Sequence, residues 1–193
     1  MGIQTPHGNT LLFVRHAQPE TNAKVPSHEW PLSTKGRQAA ADLAERIAHA
    51  YSPFTILSSP EPKAAETANI IATKLGLPVQ IDRGLREHER PKAHWLEHQQ
   101  FIAALANFFS RPDDLVFGAE TAKQVTRRFT SAVARVLKNS PEGDLIIVTH
   151  GTALTLFMAA ATNISPIPYW NSLDLPALIT LSRSTELSRL VEL

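Results

Sequence analysis

Short apolar runs rich in β-branched residues alternate along the chain with longer segments in which apolar residues recur at helical spacing. Polar or turn-forming residues bound the short runs, which predicts buried strands. The predicted strands cover residues 11–14, 54–57, 78–81 and 144–149. Two further runs, 178–182 and 187–191, predict a hairpin near the end of the sequence.

The longer segments predict five helices between these strands. Ser33 is a good N-cap for the first helix, Pro62 suits the first turn of the second, and Gly76 suits its end. The helices are predicted over residues 34–50, 61–75, 93–109, 120–138 and 152–161, with Leu105 and Phe109 on the buried side of the third. Strands that alternate with helices predict an α/β layer fold with a mostly parallel sheet, to which the hairpin adds an antiparallel strand.

Composition narrows the class of protein. The 193 residues suit one domain, and a hydrophobic fraction of 43% is enough for a sizeable core. A net charge of +1 gives no general attraction for nucleic acid or an anionic membrane, and no apolar run approaches the roughly 20 residues that span a bilayer. The absence of cysteine excludes disulfides, thiolate zinc sites and cysteine nucleophiles, and the polar first ten residues are not a secretory signal. We therefore expect a cytoplasmic protein without a nucleic-acid or membrane partner.

Two histidines follow directly after predicted strands: Arg15-His16 ends the first strand, and His150-Gly151 ends the fourth. Ligands of open α/β sheets bind beyond the carboxyl ends of the strands. Arg15 supplies positive charge, and Gly151 permits a sharp turn into a helix whose free N–H groups attract anions. The pattern predicts a site for an anionic substrate, and we expect a phosphate ester.

Histidine can transfer phosphoryl groups without a metal ion. A neutral imidazole attacks phosphorus, cationic donors hold the phosphoryl oxygens, and an acid protonates the leaving alkoxide. His16 is the candidate nucleophile. In a regular strand Arg15 and His16 would point to opposite faces, so both reach one ligand only if the chain leaves β geometry at this junction.

Six motifs in a fixed order carry a family resemblance. They are RHAQPETN at 15–22, PLSTKG at 31–36, SSPEPKAAETA at 58–68, LRE at 85–87, GAET at 118–121 and VTHG at 148–151. Over about residues 10–155 the chain resembles the histidine phosphatase superfamily, the phosphoglycerate-mutase-like group of branch 1. The resemblance implies a three-layer α/β/α sandwich in a single domain, 1–193, with residues 83–118 as a cap or rim.

The resemblance also implies an activity and its residues. The chain would be a phosphatase, independent of metals and cofactors, that hydrolyses phosphate monoesters of a small molecule or a phosphoprotein. His16 would become phosphorylated, and Glu87 would protonate the leaving oxygen and then activate water. Glu89 is an alternative acid, and a raised pKa would suit this role. The phosphoryl oxygens would be held by Arg15, Asn22, Lys63 and His150.

Two residues depart from the family pattern. Lys63 stands where arginine is usual, which keeps the charge but loses a planar fork that grips two oxygens, so we expect weaker phosphate binding or slower turnover. Arg83, Arg86 and Arg90 are nearby candidates to compensate. Ala17 replaces the usual glycine, and its methyl group would cost about 1 kcal/mol if the position needs a positive φ.

Three other functions remain open from the sequence. Residues 94–98 form an H-x-x-E-H pattern, so His94 and His98 on one helical face would predict a zinc hydrolase. A phosphoglycerate-type mutase is a second alternative. Mutases of the family that the chain resembles have more residues between the third strand and the second histidine and a C-terminal tail that closes the site, so the resemblance favours hydrolysis over transfer. Lys63 and Ala17 motivate the third alternative, a non-catalytic or weakly active phosphate-binding protein.

Overall fold

Five strands form one sheet in the computed structural model, which describes residues 9–90, 96–140 and 143–183. Strands β1 to β5 are Thr10–Arg15, Pro53–Ser58, Val79–Ile81, Asp144–Thr149 and Ala177–Ser182. Their order in the sheet is β3-β2-β4-β1-β5, and only the edge strand β5 runs antiparallel to its neighbour. The predicted mostly parallel sheet with an antiparallel edge is confirmed, and the hairpin strand predicted over 187–191 lies outside the described residues.

The described chain holds six α-helices. Helices α1 to α6 are Thr34–Ala50, Pro62–Leu75, His98–Ser110, Ala122–Asn139, Gly151–Thr162 and Pro166–Ser172. The predicted first cap is present, because Ser33 Oγ accepts the Gly36 N–H at 3.0 Å. Gly76 ends α2 with a φ of +66°, as predicted. Helix α6 was not predicted, because its seven residues begin with two prolines in three positions and show no clear period.

Helix α3 differs from its prediction over 93–109. It begins at His98, because Gln100 Oε1 accepts the Glu97 N–H at 3.2 Å and so closes the first turn. Leu96 and Glu97 therefore precede the helix, and residues 91–95 lie outside the described part of the chain. Phe108, rather than the predicted Phe109, is fully buried, and its ring stacks on His88 with 4.2 Å between centroids.

Helices cover both faces of the sheet. Leu11 and Phe13 of β1 belong to a core cluster with residues of α4 and α5, whereas Leu12 and Val14 belong to a second cluster with α1 and α2. This alternation follows from the two-residue period of a strand, and burial on both faces explains why the strands are continuously apolar. The three-layer α/β/α sandwich is confirmed. None of the described helices is both long and apolar enough to cross a membrane.

Candidate active site

Strand pairing brings His16 and His150 together. β1 and β4 are adjacent and parallel, with Arg15 in register with Thr149, so the residue after each strand emerges at the same edge. The His16 N–H donates to Thr149 O at 2.9 Å, which continues the pairing one residue past β1. The two imidazole centroids lie 5.1 Å apart with the rings inclined at 61°. Two histidines that are 134 positions apart in sequence thus share one site.

One nitrogen of His16 is left available for chemistry. Nδ1 lies 2.8 Å from the carbonyl oxygen of Ala17. A carbonyl can only accept, so Nδ1 carries the proton and the Nε2 lone pair is unprotonated. Burial lowers the pKa of His16 well below 6.5, and the nearby His150 and Lys63 lower it further. The imidazole is therefore neutral, which is the form that acts as a nucleophile.

His150 is completely buried beside His16. Its Nε2 lies 2.7 Å from Ser59 Oγ and 3.7 Å from Glu61 Oε1, while its Nδ1 has no hydrogen-bond partner among the described residues. Burial, followed by the charge of Lys63, keeps the pKa of His150 well below 6.5. A buried nitrogen without a partner is costly, so a ligand that engaged it would be favoured.

Glu87 caps the helix that follows His150. Its Oε2 accepts the Thr152 N–H at 3.1 Å, and its Oε1 accepts the N–H groups of Ala153 and His88, both at 2.9 Å. The anion that the N-terminus of α5 was expected to attract is therefore, in this structure, the Glu87 carboxylate.

The pKa of Glu87 contradicts the expected raised value. Burial alone would raise it, but the charges of His150 and Arg90 and the hydrogen bonds from backbone N–H groups outweigh burial and hold it well below 4.5. The group is ionised in the unliganded site. Of the two candidate acids, Glu87 is buried and lines the central cavity described below, whereas Glu89 is exposed and pairs with Arg86 at 3.3 Å.

A second carboxylate and an arginine hold the backbone around Glu87. Arg128 donates to the carbonyl oxygens of Gly84, Arg86 and Glu87 at 2.9, 3.0 and 3.3 Å. Its Nε and Nη2 also donate to the two oxygens of Glu120, both at 2.9 Å. The fork of one guanidinium thus joins α4 to the loop after β3, which fixes where the Glu87 carboxylate lies.

Lys63 is buried and already has partners. Its Nζ donates to Glu61 Oε2 at 2.6 Å and to Ser27 O at 2.7 Å. Glu61 Oε1 in turn accepts the Glu87 N–H at 2.8 Å. Burial lowers the pKa of Lys63 and Glu61 opposes that effect. The sequence-predicted phosphate ligand therefore reaches the site with its charge matched by a carboxylate.

A cavity of about 390 Å³ is lined in part by Arg15, His16, Lys63 and Glu87, whereas the completely buried His150 is not among its described lining residues. Much of the remaining lining is apolar: Val25, Trp30, Leu96, Phe101, Phe117, Trp170 and Leu175. Asn22 is not among the lining residues of the described chain. Its Oδ1 accepts the Lys24 N–H at 2.9 Å, a contact within the loop, and its predicted phosphate contact stays a prediction.

Arg15 is held at one side of this cavity. Its Nη1 donates to Leu173 O at 2.6 Å, and its guanidinium carbon lies 5.2 Å from the centre of the Trp170 ring. A Cβ at Gly151 would lie 3.0 Å from Arg15 Nε and 3.1 Å from Trp170 Nε1. Gly151 therefore leaves the room in which these two side chains meet.

A larger cavity, of about 790 Å³, is lined in part by the loop after β3 and shares Glu87 with the first. Its lining includes Arg83, Arg86 and Glu89 but neither His16 nor His150. We place the candidate site in the smaller cavity, because the possible nucleophile and the cations converge there.

The expected strain at Ala17 can now be judged, whereas the zinc alternative stays a prediction. Ala17 is buried, its N–H donates to Thr67 Oγ1 at 3.1 Å, and Asn163 alone among the described non-glycine residues has a positive φ. The expected cost of a positive φ at Ala17 therefore does not arise. No group of three His, Asp or Glu side chains in the described ranges is arranged to hold a metal ion, and His94 of the H-x-x-E-H pattern lies outside those ranges.

Sequence reasoning missed four residues that the structure places at the site. Ser59 and Glu61 lie inside a motif that was recognised, and the opposite charges of Glu61 and Lys63 two positions apart were the available signal. Arg128 and Trp170 gave no local signal, because each acts on a backbone or side chain more than 40 positions away.

Comparisons with known proteins show which family the chain resembles. Residues 11–192 match the model of the histidine phosphatase superfamily, branch 1. Phosphoglycerate mutase-like protein 4 of Arabidopsis thaliana is 33% identical over 151 residues, which are 73% of this chain and 66% of that protein, a little under two thirds of its length.

Two solved structures share the fold. Bacillus stearothermophilus YhfR superposes with a TM-score of 0.75 at 24% identity over 92% of each chain. A mycobacterial glucosyl-3-phosphoglycerate phosphatase, solved with VO3, gives a TM-score of 0.67 at 25% identity over 84% of this chain and 86% of that one. The relatives thus carry both phosphatase and mutase-like names. From the family match and the arrangement of its strand-end histidines, the chain belongs to the histidine phosphatase superfamily, branch 1.

Proposed function

We propose that this chain is a metal-independent phosphatase that hydrolyses phosphate monoesters through a phosphohistidine on His16. The observation that carries the proposal is the hydrogen bond from His16 Nδ1 to Ala17 O, which leaves an unprotonated Nε2 at a cavity lined by Arg15. Members of the same superfamily, including one named as a phosphatase, support the reaction class. We also propose that residues 83–118 act as the cap or rim, since Glu87, Arg90, Leu96, His98, Phe101 and Phe117 come from this stretch.

The first step transfers the phosphoryl group to the enzyme. His16 Nε2 forms a bond to phosphorus as the ester P–O bond breaks, and the leaving oxygen takes a proton from Glu87. Arg15, Lys63 and His150 stabilise the charge on the phosphoryl oxygens. In the second step the Glu87 carboxylate takes a proton from water as the water oxygen bonds to phosphorus and the P–N bond breaks. The electron pair of that bond returns to His16 Nε2, and inorganic phosphate leaves.

Glu87 must gain a proton before the first step, because the unliganded group is ionised. A phosphoryl dianion next to this carboxylate adds like charge, which raises its pKa. Substrate binding would therefore protonate Glu87, either from solvent or from a substrate that enters as the monoanion. On this account the same charge that identifies the substrate also prepares the acid.

The test combines turnover with trapping of the intermediate. The test uses three proteins: wild type, His16→Ala and the matched control His28→Ala, which changes an exposed histidine. One assay measures turnover of p-nitrophenyl phosphate. A second assay mixes each protein with a 32P-labelled ester, quenches the reaction with base and measures the label on the protein. We expect turnover and base-stable label on the protein for wild type and His28→Ala, and neither for His16→Ala. Turnover that persists in His16→Ala would refute the proposal.

Two further arms separate the alternatives. Activity that is lost on chelation and restored by zinc would favour the metal-dependent hydrolase with His94 and His98. Label that passes from the enzyme to a phosphoglycerate-type acceptor faster than to water would favour a mutase, the alternative that the name of the Arabidopsis relative supports. Phosphate binding without release from any ester would favour the non-catalytic protein.

A further inference from the structure

Three arginines follow β3, and the structure separates them. Arg83 is exposed to solvent and does not line the smaller cavity, which holds the candidate site. Arg86 is paired with Glu120 at 2.8 Å and with Glu89 at 3.3 Å. Arg90 lines the same cavity as Arg15 and His16. Only the last of the three is placed to meet a ligand there.

Two aromatic rings hold Arg90 without neutralising it. Its guanidinium carbon lies 5.2 Å from the centre of the Phe101 ring and 5.6 Å from that of Phe117. Within the described chain no carboxylate forms an ion pair with it, and its buried Nε has no hydrogen-bond partner. A buried cationic donor that lacks an acceptor is costly, and an anionic ligand would remove that cost.

Arg15 also lies against an aromatic ring of the same cavity. The rings of Phe117, Phe101 and Trp170 are in contact, with centroid distances of 6.2 Å and 5.8 Å, and form a continuous aromatic wall. Arg15 lies against Trp170 and Arg90 against the other two rings. The Nε atoms of both arginines are buried and unpartnered among the described residues. The wall therefore presents two guanidinium groups to one cavity.

The charge of Arg90 affects the pKa values of neighbouring groups at the site. It opposes the effect of burial on Glu87 and helps to lower the pKa of that carboxyl group. It also adds to burial in lowering the pKa of both His150 and Lys63. Lys63, by contrast, already donates to Glu61 and Ser27.

We propose that Arg90, seated on Phe101 and Phe117, is a phosphate-binding residue that supplies the planar guanidinium missing at Lys63. It would donate to phosphoryl oxygens from the same aromatic wall that holds Arg15. The inference rests on the proposed function, because it assumes that the cavity receives a phosphoryl group. A lysine at position 63 is then compatible with phosphate binding, since Arg90 supplies a planar fork from another loop.

The experiment measures phosphate binding separately from turnover. Inorganic phosphate is titrated calorimetrically into the full chain as wild type, Arg90→Ala, Arg90→Lys and the matched control Arg83→Ala, and kcat/KM for p-nitrophenyl phosphate is measured on the same samples. We expect Arg90→Ala to weaken phosphate binding and lower kcat/KM by about 10- to 100-fold. Arg90→Lys should recover part of the loss, and Arg83→Ala should stay within about twofold of wild type.

A substitution of Phe101 tests how much the aromatic ring contributes to phosphate binding by Arg90. Phe101→Leu keeps an apolar side chain but removes the face on which Arg90 rests, so phosphate binding should weaken less than in Arg90→Ala. Thermal melting of every variant separates loss of phosphate binding from loss of folding. If Arg90→Ala does not fold, the phosphate affinity of Arg90→Lys tests the role of Arg90 instead.

The outcomes distinguish this inference from the proposed function. Phosphate affinity of Arg90→Ala within twofold of wild type, or an equal loss in Arg83→Ala, overturns the role of Arg90. A wild-type chain that binds no phosphate at millimolar concentration overturns it as well. A chain that hydrolyses no ester but binds phosphate in an Arg90-dependent way refutes the phosphatase and supports the role of Arg90.

Discussion

Replacing Glu87 should weaken both the fold and the activity. In Glu87→Ala the N–H groups of Thr152 and Ala153, at the buried start of α5, and the N–H group of His88 lose their acceptor. Each unsatisfied buried donor costs about 1–3 kcal/mol, so we expect a loss of about 3–9 kcal/mol in the free energy of unfolding. Glu87→Gln keeps one acceptor oxygen but loses the negative charge at the helix terminus, so its loss should be about 1–3 kcal/mol.

The stability difference between wild type and Glu87→Gln should depend on pH. The folded state holds the pKa of Glu87 below its ordinary value of 4.5, so folding favours the ionised form. The contribution of the carboxylate is therefore complete above about pH 4.5 and is lost as the pH falls from there toward the folded pKa. We expect the gap between the two proteins to be constant near neutral pH and to shrink in acid.

Urea unfolding followed by circular dichroism measures this gap at several pH values. Glu89→Gln is the matched control, because that carboxylate is exposed and its ion pair with Arg86 contributes at most about 1 kcal/mol. Equal stability of Glu87→Gln and wild type at pH 7, or a gap that does not shrink in acid, would show that the carboxylate does not stabilise α5 as argued here.

Three further outcomes are expected. Lys63→Arg should raise kcat/KM, because a planar fork can keep Glu61 and still reach the phosphoryl group; an unchanged or lower value contradicts the reasoning. Gly151→Ala should lower kcat/KM about tenfold while the free energy of unfolding changes by no more than about 1 kcal/mol, since the added Cβ displaces Arg15 and not the helix; a melting curve and a kinetic assay check both parts. Burial should keep His16 neutral below pH 6.5, so an NMR titration of its imidazole should give a pKa under that value, and a pKa at or above it counts against a free-base nucleophile.

Local patterns predicted most of the fold. The strand from 144 to 149 and the caps at Ser33 and Gly76 depend on neighbouring residues, so the sequence contained the necessary information. The predicted start of α3 was wrong. Apolar residues continue at helical spacing before His98, but the capping interaction of Glu97 with Gln100 begins the helix there. Leu105 is buried as predicted, and Phe108, three positions later on the same helical face, is buried in place of Phe109 and stacks on His88 of a distant loop.

In the site, too, the sequence predicted what local structure determines and not what distant contacts determine. His16 and His150 were predicted to converge because each follows a strand, and strand ends have a fixed place in a parallel sheet. The ionised state of Glu87 was not predictable, since its hydrogen bonds come from a helix more than 60 positions away. Nor did the sequence distinguish Arg90 from Arg83, because only tertiary packing places one of them on Phe101.

The spacing of the paired imidazoles has a consequence for how members of this fold diverge. Adjacent strands in any sheet lie about 4.8 Å apart, close to the 5.1 Å that separates the rings of His16 and His150. Main-chain pairing brings the two residues side by side, and the contacts of His16 with Ala17 O and of His150 with Ser59 Oγ orient the rings. Substitutions and insertions in the loops after β1 and β3 can therefore remodel the lining of the candidate site while the two imidazoles keep their positions.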